Sequence, residues 1–140
     1  MPLNAEQFSG LAGFRLALRR FLAASEALNR EAGITQQQYQ AMLAIKTRAV
    51  DAMPMKELAG QLLLTHHAAV QLVNRLATAG LAERSASDED RRSVLLTLTA
   101  AGETLLDELA GKHLGEMQRQ EPLLTQSLRR LKQIAPADTG

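Results

Sequence analysis

The sequence predicts a mainly α domain with one small β-hairpin. Three observations carry this reading. Apolar residues recur at three- and four-residue spacing through most of the chain. The period shortens to two only between residues 81 and 98. Residue types that start and stop helices fall where the periodic stretches begin and end.

Asn4 followed by Gln7 forms a capping-box pattern, and Phe8, Leu11, Leu18, Phe21, Leu22 and Leu28 then recur. This first helix is expected to be long and to end at Gly33, a residue suited to the left-handed cap. Thr35 with Gln38 repeats the capping box and opens a helix with Tyr39, Met42 and Leu43 on one face. The segment AVDAMP reads as a loop or short strand, and Pro54 suits a helix start. A short helix follows, with Met55, Leu58, Ala59, Leu62 and Leu63 expected inward. Thr65 is an N-cap for the next helix, which stops at Gly80. Only a tight connection near Leu63 and Leu64 separates these two helices, as in a helix-turn-helix, although its usual turn glycine is missing.

After Gly80, residues 81–87 read as a strand. In a second strand, Val94, Leu96 and Leu98 share one face, with Ser93, Leu95 and Thr97 on the other. Residues 88–92 form the hairpin tip between them. Thr99 caps a helix through Leu105, Leu106 and Leu109 toward Met117, and Pro122 opens a last helix with Leu124, Leu128 and Leu131 on one stripe. A hairpin directly after the second helix of a helix-turn-helix makes a winged arrangement. The expected organisation is a winged helix-turn-helix lobe over residues 34–102 and a helical region built from both termini, 1–33 and 103–140. There is no internal repeat, low-complexity segment or independent linker.

At 140 residues and 46% hydrophobic, the chain has enough apolar material for one buried core. It has no cysteine, which excludes disulfides, thiol switches and thiolate metal sites. No apolar run is long enough to span a bilayer, and the start MPLNAEQFSG lacks the features of a signal peptide, so a cytoplasmic location is expected. The net charge of +1 is not that of a strongly basic nucleic-acid binder. DNA binding must therefore rest on where the charges sit. Aromatic residues make up 3%, too few for the stacking platforms that bind single strands.

Two segments carry the candidate chemistry. In the helix from His66, the residues Ala69, Leu72, Val73 and Leu76 follow core spacing, which leaves His67, Gln71, Asn74, Arg75 and Thr78 on the other side. Asn and Gln pair bidentately with adenine and Arg with guanine, so this face is equipped to read base edges. An ordinary solvated face has the same composition. The second segment is the tip DEDRR, residues 88–92. Its arginines are placed to meet phosphates or a narrow minor groove, and Asp90 is close enough in sequence to orient Arg92 through a charge-assisted hydrogen bond. The competing reading is a surface ion-pair cluster worth little. Between residues 65 and 92, Arg75, Arg84, Arg91 and Arg92 are balanced by Glu83, Asp88, Glu89 and Asp90, which keeps that reading open.

The order of helices and the segment LVNRLATAGLAERSASDEDRRSVLLTLTAAG resemble the MarR-type winged helix-turn-helix regulators. The specific part is Asp90-Arg91-Arg92 followed by Leu98-Thr99 and Gly102, and GITQQQYQAML resembles the family's second helix. The resemblance covers nearly the whole chain. It implies a recognition helix over residues 65–75, including Thr65 and His66, and a wing over 87–92. It also implies that Arg92 is the arginine oriented by the wing aspartate. Many members carry a further arginine near the wing tip where this chain has Glu89, which shifts the weight to Arg91 and Arg92. With Arg84, the expected DNA-binding set is Thr65, His66, His67, Gln71, Asn74, Arg75, Arg84, Arg91 and Arg92.

The resemblance further implies a homodimer built from the terminal helices, a pseudo-palindromic duplex DNA operator, a repressor role, and control by a small aromatic or phenolic ligand. Phe8, Leu11, Leu18, Phe21 and Leu22 exceed what a small winged lobe covers, and Leu109, Leu114, Leu124, Leu128 and Leu131 form a matching surplus. No cofactor and no metal are expected. His66 and His67 are adjacent and point to different sides of a helix, and His113 is distant in sequence. Glu103, Asp107 and Glu108 read as helix-start and solvent-facing residues, not a catalytic set. There is no P-loop, dinucleotide fingerprint or nucleophile elbow, so no enzymatic activity is expected. The alternative function is a winged-helix module that binds a protein partner.

Overall fold

The computed structural model describes residues 2–48, 51–87 and 93–136. Among the described residues, five helices and three strands follow in order: α1 Ala5–Glu31, α2 Gln36–Lys46, β1 Met53–Pro54, α3 Met55–Gln61, α4 His66–Thr78, β2 Ala82–Ala86, β3 Val94–Leu98 and α5 Ala100–Gln133. The chain divides into a terminal unit, Met1–Leu28 with Lys112–Gly140, and a central unit, Asn29–Gly111.

In the central unit the predicted caps are in place. Thr35 and Gln38 form a complete capping box at α2, and the Thr65 side chain accepts a hydrogen bond from Ala68 N, 3.1 Å away. Such a cap contributes about 1 kcal/mol. Three helices end on the same device. Ile34 N bonds to Asn29 O, Leu64 N to Ala59 O and Leu81 N to Leu76 O, closing a left-handed cap at Gly33, Leu63 and Gly80. At the middle cap a leucine takes the conformation that glycine takes at the other two, with φ of 56°.

The expected hairpin is one part of a three-stranded antiparallel sheet ordered β1-β3-β2. Met53 and Pro54 supply the third strand, pairing with Leu96 and Leu95, while Ala82–Ala86 pairs with Leu98–Val94. The core gathers Met42 and Ile45 from α2, Met53, Met55 and Leu58, Ala69, Leu72, Val73 and Leu76 from α4, Leu96 from β3, and Leu106 and Leu109 from α5. Each large apolar side chain buried in this way contributes about 1.5–3 kcal/mol.

Several expectations are corrected. Leu63 does not face inward; it is 92% exposed, because the left-handed turn swings it away from α3 and α4. Leu43 is exposed, since α2 buries Ala41, Met42, Ala44 and Ile45, and at 100° per residue Leu43 falls outside that arc. Leu109 is not part of an uncovered surplus but lies in the central core. Pro122 opens no new helix; α5 continues through it to Gln133. Proline removes one backbone bond at a cost of about 3 kcal/mol, but its position is exposed, so the freed carbonyl can face water.

In the terminal unit α1 and α5 run antiparallel. Asn4 and Gln7 form the expected reciprocal cap of α1, with both bonds at 2.8 Å. Gln7 Nε2 donates to Ala135 O at 3.0 Å, and Arg130 donates to Ser9 Oγ at 2.8 Å. A Cβ on Gly10 would overlap the end of the Ile134 side chain, so glycine permits the close approach of the two ends. Farther along, buried Ser25 and His113 share a hydrogen bond between Oγ and Nδ1, 3.2 Å apart. Burial lowers the His113 pKa and favours the neutral ring.

Candidate nucleic-acid interface

The α4 helix sorts its residues by period. Ala69, Leu72, Val73 and Leu76 are buried, and His66, His67, Gln71, Asn74, Arg75 and Thr78 are exposed. At 100° per residue, His67, Gln71, Asn74 and Thr78 lie directly opposite the buried stripe and Arg75 lies beside them. His66 falls on the shoulder of the helix, off this face. The side chains of His67, Gln71, Asn74 and Arg75 make no hydrogen bond or ion pair among the described residues. Their donors and acceptors are free for a partner. Thr65 uses its hydroxyl oxygen to cap the helix and marks the end from which the polar face begins.

Arg84 is exposed on β2, in the hairpin that follows α4. Asp90, Arg91 and Arg92, with Asp88 and Glu89, lie outside the described residues. The strands leading to them are in register up to Ala86 and Val94, and Ser87 N donates to Ser93 O at 3.1 Å.

One set of positioning contacts was not evident from the sequence. Thr99 N donates to Leu81 O at 3.1 Å, Thr99 Oγ1 donates to Gly80 O at 2.6 Å, and Gly102 N donates to Thr99 Oγ1 at 3.0 Å. A Cβ on Gly102 would overlap the Leu81 carbonyl oxygen. The start of α5 is thus clasped to the turn between α4 and β2, which fixes the end of the polar helix relative to the hairpin. Thr99 and Gly102 were recognisable as a motif, but their partners lie about twenty residues away and leave no local trace. Arg48 and Glu57 add an ion pair between the end of α2 and α3 at 2.5 Å, and Lys46 and Glu103 another at 3.2 Å. No group of three or more histidine, aspartate or glutamate side chains that could hold a metal occurs among the described residues. No helix there is long and apolar enough to cross a membrane.

Two short helices with an exposed polar second member, followed by a hairpin, define a winged helix-turn-helix fold. Residues 32–93 match the model of the MarR family, in agreement with the resemblance carried by the sequence. The fold is similar to AbsC, a MarR family transcriptional regulator from Streptomyces coelicolor, with a TM-score of 0.80 at 20% identity over 86% of this chain and 81% of that one. It is also similar to a mutant MarR from E. coli complexed with operator DNA, with a TM-score of 0.68 at 21% identity over 87% of this chain and 90% of that one. A third similar structure is a MepR mutant from S. aureus bound to an oligodeoxyribonucleotide, with a TM-score of 0.66 at 18% identity over 87% and 81%. No curated protein sequence matches the chain.

Proposed function

We propose that the chain is a dimeric, sequence-specific DNA-binding transcriptional regulator. The observation that carries this reading is the α4 face. His67, Gln71, Asn74 and Arg75 stand exposed along one side of a helix whose other side is locked into the core. Placed in a major groove, the amides pair with adenine and the guanidinium with guanine. Arg84, Arg91 and Arg92 on the wing contribute contacts to phosphate or the minor groove, and Asp90 orients Arg92. The lobe over residues 34–102 reads DNA and the terminal helices join two copies. The DNA-bound structures of similar fold support this assignment. A repressor role and control by a small aromatic or phenolic acid rest on the family resemblance, and a cytoplasmic location on the composition and the lack of an apolar run long enough to span a bilayer.

Selection of bound sites from random duplex DNA tests the proposal. The expected result is a near-palindrome with half-sites about one helical turn, roughly 10 bp, apart. Arg75→Ala is expected to cost about 1–3 kcal/mol per protomer and to relax the preference at one base pair of each half-site. The balanced charge of residues 65–92 favours a second reading, a winged module that binds protein. Recovery of no preferred duplex at low salt would select it over DNA binding.

A further inference from the structure

The terminal unit carries one pattern twice. On α1, positions 8, 11, 15, 18 and 22 are Phe, Leu, Arg, Leu and Leu; on α5, positions 114, 117, 121, 124 and 128 are Leu, Met, Glu, Leu and Leu. Both sets alternate steps of three and four, the spacing of a helix–helix seam. In each, only one position is charged, and it is the middle one: Arg15 on α1 and Glu121 on α5. Nearly all of the apolar members are exposed, as are Arg15 and Glu121; Leu124 is half-buried. Met117, Glu121 and Leu124 also line, with Phe21 and Gln118, a groove between the two helices.

The charges identify the occupant of this surface as a second copy of the chain. The antiparallel contacts of Gln7 with Ala135 and of Ser25 with His113 place Arg15 within about one helical turn of the level of Glu121. If α1 of one copy lies on α5 of the other, each cation comes opposite an anion, twice by symmetry. If α1 lies on α1 and α5 on α5, arginine approaches arginine and glutamate approaches glutamate in apolar surroundings, where like charges repel strongly. Glu121 is already held by Thr125, whose hydroxyl donates to Oε1 at 2.9 Å, leaving Oε2 for a cation.

We infer that the dimer pairs α1 with α5 of its partner and that Arg15, paired with Glu121 of the partner subunit, sets this register. The inference rests on the dimer reading above. A charged residue at a seam position specifies partner and register better than it adds affinity.

The test is sedimentation equilibrium of the full chain, with helicity followed by circular dichroism. Wild type, Arg15→Glu, Glu121→Arg and the double charge swap are compared. Wild type is expected to be a dimer at micromolar concentration. Each single swap places two like-charged pairs in the seam and should weaken the dimer at least about tenfold. The double swap should restore it to within about threefold of wild type. Unchanged single variants, or a double variant no tighter than the singles, would overturn the pairing and leave the dimer reading standing. A monomeric wild type would overturn the dimer reading and this inference with it. If a single swap fails to fold, the double swap decides alone. A dimer constant near that of wild type supports the pair, and one about tenfold weaker or more overturns it.

Discussion

In the central unit Met42, Met53, Leu58, Leu76 and Leu96 are each less than 2% exposed; in the terminal unit Phe8, Leu11, Leu18, Leu114 and Leu128 stay 38–58% exposed. The two regions differ in architecture more than in composition. Helices α2, α3 and α4 pack on one another and against the sheet, so their apolar faces are covered from several sides. A pair of antiparallel helices has only one mutual face, so a second apolar stripe on each stays uncovered. The central unit thus covers its own core, while the terminal unit leaves a row of apolar side chains exposed.

The largest expected effect compares one leucine from each region. Leu76→Ala removes a fully buried side chain from the central core and should cost about 2–5 kcal/mol, read from chemical denaturation at one chain concentration. Leu18→Ala should change helicity little but weaken self-association, because its side chain is 38% exposed in the single chain. Equal losses of stability with unchanged association would remove the distinction between the two regions.

A middle-sized effect concerns the terminal unit's buried polar pair. Burial holds the His113 pKa below the ordinary value of 6.5. The unfolded chain therefore binds more protons than the folded one once the pH falls below about 6.5, and stability falls with it. Above that value the stabilising contribution of the neutral ring is fully present. The melting temperature should be lower at pH 5.5 than at pH 7.5, and His113→Gln should flatten this dependence. An unchanged slope in His113→Gln would show that other groups dominate the acid sensitivity.

The smallest effect sharpens the comparison inside the central unit. Gly33 and Gly80 close their helices without strain, whereas Leu63 holds the left-handed cap at a cost of about 1–2 kcal/mol. Leu63→Gly relieves that strain and gives up almost no burial, and the added freedom of the unfolded chain offsets part of the gain. A net stabilisation of about 0.5–1 kcal/mol, a rise of a few degrees in melting temperature, is expected. A loss of stability would mean that the exposed leucine makes a contact in the assembled protein.

The chain's local chemistry was enough to determine the caps at Asn4, Thr35 and Thr65, the stops at Gly33 and Gly80, the core stripe of α4 and the strand pairing on either side of the tip. Each of these depends on residues within about one or two helical turns, or on a period that a few residues suffice to display. The polar face of α4 was legible for the same reason: the residues that pack and the exposed polar residues alternate on one helix. Tertiary structure alone decided the rest. AVDAMP reads as either a loop or a short strand, and Leu96 and Leu95, an open edge more than forty residues away, make Met53 and Pro54 a strand. Leu109 joined the core and Leu43 left it. Gly102 met Leu81, and Thr99 joined Gly80. These outcomes were set by distant partners, whose packing outweighs local preferences worth about 1–3 kcal/mol per residue and leaves no mark in the neighbouring sequence.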